Sequence, residues 1–320
     1  MAEAEEKLVL KPGVVTQFLD NFSSTPDLES FQFTELNITN KRVEQLNKAM
    51  EEVKDVAIVD FSLNNITDIN PMKDMANLVK LNLAKNKIKS LAVFTLEECF
   101  PNLKWLDVQA NKFSEMPALK LPKLEYLDIS YNKLEKLNEG WTGHANLRIV
   151  KSVDNKFKSL AAFKNMPRLE ELYMASNSIS NLTGWESLPV LKKLHLRRNK
   201  IEKIEEELPE LPAIQYINLR SNKIPNMEVL ERLYQFPTLV DINVLNNPVE
   251  SNATSFNLLI AEVLIKNVKI QRFCKQPIEE SHKLEGWYLA QYRHEKERHE
   301  KKLKEEEERR REAEGNEDDD

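Results

Sequence analysis

At 320 residues, 41% hydrophobic and 31% charged with only six glycines, the chain has ample apolar material for a core and too little glycine for collagen-like or glycine-rich disordered classes. A formal net charge of −6 leaves no general basic excess to neutralise phosphates, which argues against nucleic acid and anionic membranes as direct partners. Cys99 and Cys274, distant in sequence and without a CxxC neighbour, read as buried thiols rather than a disulfide framework or a zinc site.

The first residues, MAEAEEKLVLKPGVV, place acids where a secretory leader has basic residues and lack its apolar run, so no leader is expected. No stretch approaches the apolar length of a membrane span, and a soluble protein is expected. The Asn-x-Ser/Thr triplets beginning at Asn37, Asn65, Asn181 and Asn252 are accordingly read as chance matches. Residues 1–27 form an N-terminal cap segment in this reading. From residue 28 to 275 the chain repeats itself. The first unit, LESFQFTELNI from Leu28, is degenerate and carries Leu36 where later units carry Asn. The following KRVEQLNKAMEEV puts Val43, Leu46, Met50 and Val53 on one face of a predicted helix.

The pattern LxxLxLxxNxL then recurs nine times, starting at Val56, Leu78, Leu103, Leu124, Leu147, Leu169, Leu191, Ile214 and Leu239. Its ninth position is Asn64, Asn86, Asn111, Asn132, Asn155, Asn177, Asn199, Asn222 and Asn247. Steps of 21 to 25 residues fall in the leucine-rich-repeat range. The physical logic is local. Positions 4 and 6 of a short strand point inward by alternation, and the chain must then turn back within one unit. A column of stacked asparagines can satisfy the polar backbone groups buried by that turn, which otherwise cost about 1–3 kcal/mol each. The expected fold is α/β: a leucine-rich-repeat solenoid with a curved parallel sheet on the concave face, short helices or turns on the convex face, and a charged C-terminal helix.

After Asn247-Pro248, the apolar SFNLLIAEVLIKNVKIQRF reads as a lid on the last repeat, with Phe256, Leu259, Val263 and Ile270 as its buried contacts. Residues 276–314 form a charged extension; from Arg293 to Glu314, 18 of 22 residues are charged. Acid-first i,i+4 pairs such as Glu297/Lys301 and Glu305/Arg309 have the orientation that favours a single exposed helix, with a solvated, partly disordered tail as an equal alternative. Trp287, Tyr288 and Tyr292 precede this run and are expected to pack on the last repeat, with a partner contact as the alternative. Residues 315–320 are a short acidic tail.

No phosphate-loop, dinucleotide, HExxH, GxSxG or EF-hand motif is present, and His144, His195, His282, His294 and His299 are scattered. An enzyme, a cofactor and a metal are therefore not expected. Binding is left to the surface. Positions 2, 3, 5, 7 and 8 line the concave face in this register. Trp105, Asp107, Tyr126, Asp128, Tyr131, Tyr173 and Tyr216 give an aromatic and acidic half, while Lys192, Lys193, His195, Arg197, Arg198 and Arg220 give a basic one. The two halves together would suit an elongated polar protein partner such as a helix.

The units resemble the leucine-rich-repeat class of intracellular phosphatase-regulator type. From Leu191 onward, LKKLHLRRNKIEKI, IQYINLRSNKIPNMEVLERLYQFPTLVDINVLNNP and the charged helix resemble the leucine-rich repeat-containing protein 23 family, radial-spoke components of motile cilia. That resemblance implies an axonemal structural protein inside a large complex, with other spoke proteins as partners and no catalytic residues. The competing implications are a soluble adaptor, such as a phosphatase regulatory subunit, and a protein-binding subunit of a nuclear RNA particle. The N-terminus departs from the family by lacking a long acidic extension.

Overall fold

Each copy of the motif forms one three-residue strand at its positions 3 to 5, and neighbouring copies hydrogen-bond side by side in sequence order. The computed structural model describes residues 8–24, 31–137, 140–161, 163–184, 186–205, 208–252 and 255–316. The nine regular copies supply β3 Ile58–Asp60, β4 Lys80–Asn82, β5 Trp105–Asp107, β6 Tyr126–Asp128, β7 Ile149–Lys151, β8 Glu171–Tyr173, β9 Lys193–His195, β10 Tyr216–Asn218 and β11 Asp241–Asn243. They pair in parallel, position on position, as in Leu172 beside Leu194 and Ile217 beside Ile242. At the ends, β1 Leu19–Ser24 folds antiparallel on β2 Phe31–Asn37, and β12 Arg272–Phe273 folds antiparallel on β13 Gln276–Pro277, completing a sheet of 13 strands among the described residues.

The inward positions make one continuous core along the stack. In copy six Leu169, Leu172, Met174 and Ile179 are all fully buried. Position 8 of every regular copy, from Leu63 to Asn246, is a non-glycine residue in the left-handed region, with φ between 53° and 59°. This turns each chain out of its strand and places the next residue, Asn, in the interior.

Each asparagine then joins two coils. Asn177 Oδ1 accepts from the Phe157 amide at 3.0 Å, while its Nδ2 donates to the Ser152 carbonyl at 2.8 Å and to its own Met174 carbonyl at 3.1 Å. Asn64, Asn86, Asn111, Asn155, Asn199, Asn222 and Asn247 repeat the bond to the amide of the preceding coil. Asn132 differs: its Nδ2 donates to Val108 and Ile129, but its Oδ1 is buried without a partner.

The first unit corrects the sequence register. Leu36, not Phe31, stands beside Val59 of β3, so the true frame is FTELNITNKRV from Phe33, five residues later. Asn40 there has the left-handed φ of position 8, and Lys41 takes the place of Asn. A terminal coil has no earlier coil to hold, so position 9 needs no amide. Leu28, on which the other frame began, lies outside the described residues. The predicted helix over 41–53 is also shorter. Val43 and Leu46 belong to the extended return arm, and only Lys48–Val53 is helical, as a 3-10 turn capped by Asn47 Oδ1 on the Ala49 amide at 2.8 Å. Val43, Leu46, Met50 and Val53 are nonetheless all buried.

At the other end, Pro248–Asn252 (α1) and Phe256–Lys266 (α2) cover the last repeat, with Leu259, Val263 and Ile270 buried and Phe256 half-buried against Phe273. α3 is one 37-residue helix, Glu280–Asn316. Its first turns cross α2 at Gly286, whose missing Cβ would lie 3.3 Å from Leu264 and 3.5 Å from the Ala261 carbonyl. Arg293 then pairs with Glu262. Trp287, Tyr288 and Tyr292 do not pack on the repeat as expected; they are 55%, 60% and 65% exposed, because Gly286 brings the opposite side of the helix onto α2. Residues 317–320 of the acidic tail lie outside the described residues. Cys99 and Cys274 are free and buried, and burial pushes the Cys274 thiol up to about 12.

Candidate protein-binding face of the sheet

Strands of three residues in parallel register bring the same position of successive coils within about 4.8 Å of each other, so the sequence of positions 3 and 5 becomes a row across the sheet. Along that row the side chains stack on one another. Lys80 Nζ stands 4.8 Å from the centre of the Trp105 ring, and Trp105 stacks on Tyr126 at 4.9 Å and 8°. Lys151 bridges the Tyr126 and Tyr173 rings at 5.2 and 5.7 Å. Tyr173 stacks on His195 at 4.3 Å, and His195 meets Tyr216 edge-on at 5.0 Å. The result is an unbroken row of rings and cations from β4 to β10. Its aromatic members are visible in the sequence once the register is known. Lys80 and Lys151, which connect them, are missed because a lysine in so charged a chain carries no signal until its 22-residue neighbours are compared.

Asp107 and Asp128 are a different case. The sequence places them outward on this face, but the structure leaves them 6% and 5% exposed. Their Oδ1 atoms accept from the backbone amides of Gln109 and Ser130, each at 2.9 Å. Asp60, Asn82, Asn218 and Asn243 do the same two residues downstream. Position 5 thus carries a second polar ladder, in which a short side chain folds back to hold the amide of position 7. Burial, reinforced by Asp128, raises the Asp107 carboxyl above its ordinary range despite the Gln109 bonds. Copies five to seven break the ladder by placing Lys151, Tyr173 and His195 at position 5. Departures from a structural rule of this kind concentrate at functional places.

The hydroxyls of the row are held. Tyr173 donates to Glu171 Oε2 at 2.5 Å, and Lys193 donates to Glu171 Oε1 at 2.8 Å. Burial and the neighbouring acids raise the Tyr126 and Tyr173 phenols, which stay protonated. Tyr131 sits at the left-handed turn beyond its strand, 52% exposed.

The basic half is smaller than its side chains suggest. Lys192 and Arg148 both close on Glu170, at 2.8 and 2.6 Å, and Lys193 is paired with Glu171. Burial lowers the His195 imidazole to about 4, so it is neutral. Arg197, Arg198 and Arg220 remain. Among the described residues, no group of three or more His, Cys, Asp or Glu could hold a metal, and no helix is long and apolar enough to cross a membrane.

Residues 169–299 match the family described as Leucine-rich repeat, and residues 123–144 match a second described as Leucine Rich Repeat. In structure, the complex of TLR13 with ssRNA13 is similar at a TM-score of 0.62 and 17% identity, over 80% of this chain and 40% of that one. The APL1 leucine-rich-repeat domain gives 0.55 and 18%, over 72% and 58%. The chain is a leucine-rich-repeat solenoid.

The solenoid is 28% identical to leucine-rich repeat-containing protein 23 of Bos taurus over 237 residues, 73% of this chain and 66% of that protein. The Homo sapiens protein of the same name gives the same identity and coverage. Keratocan of Danio rerio is 26% identical over 235 residues, 68% of this chain and 67% of that one. The solenoid therefore spans about two thirds of the length of these relatives. Similar identity to differently named proteins follows from the inward positions, where every such repeat requires the same residues. A repeat stack of this kind is a protein-interaction scaffold.

Proposed function

We propose that the protein is a non-enzymatic structural scaffold of the ciliary axoneme, part of a radial spoke, that holds neighbouring spoke proteins through the solenoid and the C-terminal helix and so supports ciliary motility. The supporting observation is the likeness to leucine-rich repeat-containing protein 23, which runs through the repeats with the charged α3 following them. In this reading the partner-binding residues are Trp105, Tyr126, Tyr131, Tyr173, Lys193, His195, Arg197, Arg198, Tyr216 and Arg220, with Asp107 and Asp128 holding their strands in place. Lys80 and Lys151 join them as members of the stacked row. The protein would reside in the axoneme of a cilium or flagellum, within a large complex, and bind neither membrane nor nucleic acid directly.

The alternative is a soluble adaptor, such as a phosphatase regulatory subunit. It is favoured by the position of the ring row at mid-solenoid, where a globular enzyme could seat. The two readings separate on fractionation of motile cilia. A spoke component stays with the detergent-extracted axoneme and appears at the periodic spokes when tagged and imaged by cryo-electron tomography. Recovery in the soluble fraction alone would overturn the scaffold reading in favour of the adaptor.

A further inference from the structure

Nearly every cation that the sheet face offers at positions 2, 3 and 5 of the middle and late coils has a partner. Lys104 pairs with Glu125, Arg148 and Lys192 with Glu170, Lys193 with Glu171, and Arg272 with Asp241. Lys80 and Lys151 lie over rings. Position 7 is the exception. Arg197 and Arg220 occupy it in consecutive coils, and the Arg198 amide donates to the Arg220 carbonyl at 2.9 Å, which fixes the two turns side by side. None of Arg197, Arg198 and Arg220 forms an ion pair with an acid among the described residues. The Nε atoms of Arg197 and Arg220 are also buried without a hydrogen-bond partner. Arg197 and Arg220 are each only half-buried, so charged groups without an acidic partner among the described residues stand at the surface, where an acceptor from outside can pair with them.

We infer that Arg197, Arg198 and Arg220 form an acid-recognition site for a partner helix bearing two carboxylates one turn apart. The geometry matches on both sides. Neighbouring coils are about 4.8 Å apart, and glutamates at i and i+4 on a helix are about 5–6 Å apart at Cβ, so a helix laid across the strands presents one acid to each arginine. Guanidinium favours carboxylate through two parallel N–H···O bonds. The coil on one flank has Ala175 at position 7, leaving room for the helix backbone, and the coil on the other has Leu245. The neutral His195 and the Tyr216 ring lie at position 5 and position 3 of the same coils and supply the apolar contact beside the acids. This assignment rests on the sheet face being a protein-binding surface and does not depend on a ciliary location.

The test is fluorescence anisotropy with the full chain and two labelled alanine-based helical peptides. One carries glutamates at i and i+4 beside a leucine and a tyrosine; the other carries glutamines in their place. The glutamate peptide binds more tightly by about tenfold, and Arg197→Gln/Arg220→Gln removes that advantage. Lys54→Gln/Lys89→Gln, which makes the same change in net charge at exposed positions, leaves it intact. Arg198→Gln, at an exposed turn, weakens the glutamate peptide alone and serves should the double variant fail to fold. Equal binding of the two peptides, no binding of either, an equal loss in the lysine variant, or tighter binding of single-stranded DNA through the same arginines would each overturn the assignment. If both peptides bind equally and Tyr216→Ala weakens both, the face still binds protein and only the acid specificity is lost.

Discussion

Asn177 ties the Phe157 amide and the Ser152 carbonyl of one coil to its own, so Asn177→Ala orphans groups in two coils at once. Each orphaned buried group costs about 1–3 kcal/mol. Asn132→Ala should cost less, because no donor reaches Asn132 Oδ1 in the first place. Urea midpoints of the two variants check this, and equal losses would contradict the inter-coil role. Asp107 points the other way. Its carboxyl is raised by burial, so the folded state holds the proton more tightly than the unfolded chain and loses stability as pH rises through the carboxylate range. Asp107→Asn keeps the acceptor for the Gln109 amide, as Asn82, Asn218 and Asn243 do, and should raise stability at pH 7 while changing little near pH 3. A loss at pH 7 would show that the charge itself is needed. For His195, lowered to about 4 by burial, the sign is the reverse of a salt-bridged histidine. The unfolded imidazole binds protons from about pH 6.5 downward, so stability from this group is complete above that and falls as pH drops towards 4. An NMR titration of the imidazole should show a midpoint near 4 that returns towards 6.5 in Tyr173→Ala, which uncovers the ring.

Among the elements, the three-residue strands contribute little by themselves; each exists because a neighbour on either side completes its hydrogen bonds. The two ends of the stack therefore need different devices. At one, β1 turns back on β2, with Phe22 and Phe33 in contact at 5.1 Å. At the other, β12 and β13 form the hairpin while α2 covers the core and α3 covers α2. That last contact depends on Gly286. A larger residue there meets Leu264 and the Ala261 carbonyl, so Gly286→Leu should lift the start of α3 from α2. Hydrogen exchange would then show protection lost over 280–293 and unchanged in β5 to β9. Loss spread evenly along the solenoid would mean that α3 supports more than the cap.

As a whole molecule the solenoid is quasi-one-dimensional, with each coil in contact only with the next, so its stability is a sum of coils and interfaces. The helix beyond Arg293 adds nothing to that sum: its side chains from His294 to Arg309 are exposed. A chain ended after Arg293 should melt within about 1 °C of the full one, since the side chains described beyond it, His294 to Arg309, are all exposed. It should also show a smaller maximum dimension by X-ray scattering, because a helix rises about 1.5 Å per residue. A large drop in melting temperature would show that this segment folds back on the coils. The exposed ion pairs along position 2, such as Arg148–Glu170–Lys192, are each worth about 0–1 kcal/mol and should make stability only weakly salt-dependent.

The nine copies, their inward leucines and their asparagines are legible in the sequence because each obeys a rule that acts within one coil: alternation along a strand and a turn after it. The same rule, applied in the frame from Phe33, also finds the first coil, where Phe33, Leu36, Ile38 and Val43 fall on the apolar positions. What the sequence does not decide is what each outward side chain does, because its neighbours lie 21 to 25 residues away in the adjacent coils. Asp107 and Asp128 look like surface acids until their amides are seen, and Lys192 looks free until Glu170 stands beside it. Trp287 looks like core until Gly286 fixes which side of α3 meets α2. Periodicity within one coil determines the fold; the lateral stacking of different coils, which only the tertiary structure sets, decides which charges are left for a partner.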